Sequence, residues 1–72
     1  MERTMIERHL AQAERHVKQG TVIVEKQRAL VAKLQHKHLD SKLARKFLAD
    51  FEKARRMYIE DRDRLAQTLA TL

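Results

Sequence analysis

Four histidines, set among arginines and carboxylates, are the first side chains in this sequence to test for chemistry. His9 and His16 stand seven residues apart, which on an α-helix is about 10 Å along the axis. One metal ion with bonds of about 2 Å cannot take both. His36 and His38 are two apart and could share an ion in a turn, with Asp40 as a third ligand, but no further ligand spacing supports them. They read as polar residues at the edges of a bundle, and no metal is expected. Nucleophilic catalysis has as little support. Ser41 is the one serine, cysteine is absent, there is no glycine-rich loop, and no nucleophile stands beside a base. The expectation is a protein that is not an enzyme, with no cofactor and no small-molecule substrate.

Arg62 is more informative, because it falls one turn from Tyr58 and Leu65 on what reads as the core side of a helix. A guanidinium there needs a carboxylate. Glu14 is its expected partner, with Asp61 placed to meet His16. An ion pair that fixes register explains Arg62 better than a switch does, and Gln27 on an apolar row reads the same way.

The elements that position these residues follow from periodicity. Ile6, Leu10, Ala13, Val17, Gly20, Val24, Gln27, Val31, Leu34 and His38 recur at alternating spacings of four and three, a heptad row. Ile23 and Leu30 stand beside this row and widen its apolar face, which suits a bundle better than a two-stranded coil. In the second half, Ala44, Phe47, Phe51, Ala54, Tyr58, Leu65, Leu69 and Leu72 share one side, flanked by Leu43 and Leu48. Proline is absent, Gly20 is the one glycine, and nine residues are alanine, the composition of long helices. Thr21–Val24 is locally β-rich and Gly20 could end a helix, but the heptad phase runs through Gly20 without a slip. The fold class is therefore all-α: an antiparallel two-helix hairpin forming one domain over residues 1–72. Helix 1 spans about 4–35, the turn about 36–40 and helix 2 about 41–70.

Thr4 and Glu7 have the form of a capping box for helix 1, and Asp40 or Ser41 can cap helix 2. Glu14–Lys18, Glu52–Arg56 and Glu60–Arg64 are acid-before-base pairs at i,i+4. Folding at the turn sets Gly20 against Met57 and Tyr58, Val24 against Ala54, Gln27 against Phe51 and Ala13 against Leu65, so that small residues meet large ones. Leu34 and Leu43 are expected to close the tip.

A 72-residue chain without disulfides buries little surface, and two helices cannot surround their own core. The hairpin is expected to form a homodimer, a four-helix bundle. The core and dimer residues are Leu10, Val17, Val24, Val31, Leu34, Leu43, Phe47, Phe51, Tyr58 and Leu65. No secretory signal or membrane-spanning run is present, so a soluble cytoplasmic protein is expected. The net charge of +6 gathers in residues 26–46, where Lys26, Arg28, Lys33, Lys37, Lys42, Arg45 and Lys46 face Asp40 alone. The cluster solubilises the bundle or meets an anion. No aromatic residue outside the core row interleaves it, so a nucleic-acid role would be directed at the phosphate backbone.

The segments Ala13-Glu14-Arg15-His16-Val17-Lys18-Gln19-Gly20, Gln27-Arg28 and Asp61-Arg62-Asp63-Arg64-Leu65 resemble a loose group of short uncharacterised helical proteins from α-proteobacteria, a likeness covering most of the chain. That group has no function to transfer. The architecture is also similar to that of the plasmid RNA-binding Rop proteins, dimers of helical hairpins, with no motif in common. The sequence thus points to a self-associating module that binds a protein partner through its bundle faces. The alternative is a Rop-like binder of RNA or duplex DNA through Lys33, Lys37, Lys42, Arg45 and Lys46.

Overall fold

The computed structural model describes residues 2–72. These form two helices and no strand: α1, Arg3–His36, and α2, Lys42–Ala70. They pack along their length as an antiparallel hairpin measuring 53 × 14 × 13 Å. α1 runs unbroken through Gly20, whose φ is not positive.

The start of α1 departs from the expected capping box. Glu2 is the N-cap of α1, and its carbonyl accepts from the Ile6 amide. Thr4 therefore lies inside the first turn, where its hydroxyl cannot cap, and Glu7 accepts from Arg3 Nε at 3.1 Å instead. At the other end the Leu39 amide donates to the Leu34 carbonyl (2.8 Å) and the His38 amide to that of Gln35 (3.1 Å). This is a Schellman ending, with His38 in the left-handed position at φ 56° where glycine is usual. Asp40 Oδ1 accepts from the Lys42 amide at 3.0 Å, and Ser41, the N-cap of α2, is buried. The reversal of the chain is thus held by backbone bonds and one carboxylate.

Every residue of the four-three row on α1 from Ile6 to Leu34 is buried or half-buried, and Val24 is fully enclosed. α2 has no buried residue. Its facing row is Ala44, Leu48, Phe51, Arg55, Tyr58, Arg62, Leu65 and Leu69, again at four-three spacing, with all but Tyr58 half-buried. This corrects the expected stripe. Leu48 faces α1, whereas Phe47 is 43% exposed and Leu43 62% exposed, so Leu43 does not close the tip. The row passes through two arginines because their aliphatic stems pack as apolar side chains do. Arg55 Cβ and Cγ lie 3.7 and 3.6 Å from where a Cβ on Gly20 would stand, and Tyr58 Cδ2 lies 3.4 Å away.

Candidate interaction surface

The residues first weighed for chemistry scatter. His36 and His38 are exposed at the tip. His16 packs on the Tyr58 ring, with centroids 5.2 Å apart. Together with His9, Gln12, Ala13, Asp61, Arg64 and Leu65 it lines a shallow cleft far from the turn. Asp61 accepts a hydrogen bond there from Arg64, three residues on. No group of three or more His, Cys, Asp or Glu among the described residues is arranged to hold a metal ion. Arg62 does not reach Glu14. Its Nη2 and Nε donate to Asp63 Oδ1 at 2.9 and 3.1 Å, because a half-buried guanidinium can swing out of the seam to the nearest acid. Gln27 Nε2 donates to the Ala44 carbonyl at 2.9 Å, across the seam and towards the tip rather than level with Phe51.

None of the three expected i,i+4 pairs forms among the described residues. Glu52 crosses instead to Arg28, 3.2 Å away on the other helix. Lys33, Lys37, Lys42, Arg45 and Lys46 are all exposed, and none is in an ion pair among the described residues.

The Arg28–Glu52 contact orients the two sides of the hairpin. Beside the α1 row runs a line of Glu7, Glu14, Thr21, Arg28 and Gln35, and beside the α2 row runs Arg45, Glu52, Ile59 and Ala66. Arg28 bonded to Glu52 joins these two lines into one flank, which is mostly polar. On the opposite side α1 presents His9, His16, Ile23, Leu30 and Lys37, and α2 presents Phe47, Ala54, Asp61 and Thr68. The cleft shared by His16 and Asp61 joins these lines into the second flank. Its middle is apolar. Ile23, Leu30 and Phe47 are each more than 40% exposed, Ala54 lies among them, and Leu43 and Met57 stand on its outer edge, both near 60% exposed.

Of the sequence-predicted core residues, Val24 and Val31 are buried, and Leu10, Val17, Leu34, Phe51 and Leu65 are half-buried between the helices. Leu43, Phe47 and Tyr58 are exposed. Met57 is expected opposite Gly20 alongside Tyr58, but Arg55 and Tyr58 stand there and Met57 is exposed on the outer edge. The signal for that place is the fourteen-residue, four-turn spacing from Leu43, which puts both on one edge of α2.

Fold and surface together define a two-helix hairpin with one polar and one apolar flank. No known family, curated protein or solved structure matches the chain. No helix among the described residues is long and apolar enough to cross a membrane.

Proposed function

We propose that this chain is a non-enzymatic helical interaction module that self-associates and meets a protein partner through its bundle faces. The observation that carries this reading is the apolar flank. Ile23, Leu30, Phe47 and Met57 face outward on one side of a hairpin whose second helix buries no residue of its own. A contiguous exposed apolar patch marks a surface that is covered in the working state. Light scattering on the full chain tests it: an assembly larger than the 8.5 kDa chain is expected at micromolar concentration. A well-folded monomer at hundreds of micromolar would overturn it.

A second reading has its own support in the basic tip, whose five cations Lys33, Lys37, Lys42, Arg45 and Lys46 are exposed and lack acidic partners among the described residues. Such a cluster suits a nucleic-acid backbone, with binding that falls steeply as salt rises. A gel shift with mixed RNA and duplex DNA at low salt, lost when Lys42 and Arg45 are both changed to Glu, is its test. No shift at tens of micromolar protein would remove it.

A further inference from the structure

The apolar flank has an internal symmetry. Ile23 and Leu30 on α1 are centred at Lys26–Gln27, and Phe47 and Ala54 on α2 are centred at Asp50–Phe51. Leu43 and Met57, the two most exposed of these apolar side chains, are centred at Asp50 as well. Gly20 lies level with Arg55 and Tyr58. Six or seven residues further along α1, and as many back along α2, both centres therefore fall at the same height on the hairpin. From these positions we infer that the chain forms an antiparallel homodimer through this flank, about a two-fold axis that crosses the hairpin at Lys26 and Asp50. The inference rests on the self-association proposed above and specifies its face and direction.

Such an axis lays α1 over α1 and α2 over α2 of the second copy. Ile23 then meets Leu30 of the other chain, Phe47 meets Ala54, and Leu43 meets Met57. Each pair occurs twice, as a self-complementary two-fold interface requires. A parallel dimer through the same flank would lay α1 over α2. It would still join Ile23 to Ala54 and Leu30 to Phe47, but Leu43 would face the Lys33 level and Met57 the Gln19 level, so the pairing of Leu43 with Met57 would be lost.

Charge agrees with the antiparallel choice, and surface area agrees with a dimer in either direction. Residues 26–46 hold an excess of +6, and a parallel dimer would crowd two such tips at one end. In the antiparallel dimer Lys33, Lys37 and Lys42 lie seven to eleven residues from the axis, so each stands roughly 20–30 Å from its own copy at 1.5 Å per residue, while Lys26 and Arg28 lie near the axis. Those tip separations exceed the screening length of about 10 Å in 0.1 M salt. The opposing cost is that Asp50 and Lys26 each approach their own copy at the edge of the interface, a weak like-charge contact because it is exposed to solvent. The chain exposes 5747 Å², whereas a compact protein of its 8.5 kDa mass exposes roughly 4,700 Å². The excess of roughly 1,000 Å² matches the ~800 Å² per partner that a stable dimer covers.

The test joins light scattering to cysteine placement in the full chain, which has no native cysteine. The expected mass is twice that of one chain, and Phe47→Glu, at a site exposed in the hairpin, should lose the dimer while keeping its helical circular dichroism. Asp50→Cys and Lys26→Cys should each cross-link to themselves with a short bis-thiol reagent. A dimer in which neither links alone, but a mixture of the two variants does, is parallel and overturns this inference while leaving self-association intact. A dimer that yields no link in any combination, or that survives Phe47→Glu, uses another face and also overturns it. A monomer overturns both readings.

Discussion

Replacing Gly20 with alanine should stabilise this protein, although glycine at a helix crossing is commonly read as a packing requirement. Gly20 lies mid-helix with φ in the ordinary negative range, so nothing in its backbone needs glycine. Alanine is favoured there by about 1 kcal/mol through the conformational freedom that glycine loses on folding. The added methyl would meet Tyr58 Cδ2 at 3.4 Å and the Arg55 stem at 3.6 and 3.7 Å. The Arg55 contacts are ordinary van der Waals distances, and the Tyr58 contact sits at their lower edge against a ring that is still 39% exposed and free to yield. The two effects point the same way, for a net gain of about 1 kcal/mol, equivalent to roughly 4–8 °C in Tm for a domain of this size. Urea titration followed by circular dichroism at one fixed protein concentration measures it, with the midpoint rising and the slope unchanged. Gly20→Leu is the counterpart: its further carbons have no room against Tyr58 and should destabilise. A lower midpoint for Gly20→Ala would refute the reasoning and show that the helices need to approach more closely at this crossing.

Further outcomes can be checked by the same titration. His38→Gly should stabilise by about 0.5–1 kcal/mol, since a non-glycine residue at φ 56° costs about 1–2 kcal/mol and glycine returns part of that gain to the unfolded chain; no gain would mean that the Schellman ending does not persist in solution. Phe51→Ala should cost about 2 kcal/mol, below the 3–5 kcal/mol of a fully enclosed phenylalanine because Phe51 is half-buried. Gln27→Ala removes the bond to the Ala44 carbonyl and should cost about 1 kcal/mol. Glu52→Gln should change stability by 0.5 kcal/mol or less, because the Arg28–Glu52 pair stands largely in solvent.

The two helices were legible to different degrees. On α1 the seam positions are filled by small and aliphatic residues, Gln27 apart, with charged neighbours, so the four-three phase is unambiguous. On α2 the true row includes Arg55 and Arg62, while Phe47 and Leu43 stand outside it. Residue type therefore pulls the reading one position off at Phe47, beside Leu48, and at Ala54, beside Arg55, whereas Arg62 is placed on the core side. The reversal of the chain was marked by Asp40-Ser41, but its Schellman ending was not legible, since histidine is not the residue that position ordinarily selects. The absent capping box has a similar origin: the helix begins before Thr4, and a motif defined by spacing alone does not say where a helix starts. The apolar flank was half visible in Ile23 and Leu30. Joining them to Phe47, Ala54 and Met57 required the register between the helices, which Gly20 against Tyr58 and Arg28 against Glu52 supply.

The sidedness of the hairpin sets what kind of assembly it can form. If both flanks were apolar, each chain would offer two surfaces, and association would propagate into stacks. Here one flank presents Glu7, Glu14, Arg28, Gln35, Arg45 and Glu52, with Arg28 and Glu52 already bonded across it. Covering these groups would strip water from charged side chains, which is costly unless each finds a partner. The other flank has its apolar side chains at mid-length and His16, Asp61 and Arg64 at its far end. Under the proposed self-association, a chain with one adhesive side would have nothing left to offer once two copies had met, so association would close at two. In the proposed dimer Arg45 lies on the uncovered polar flank, whereas Lys37 continues the line of Ile23 and Leu30 on the covered one.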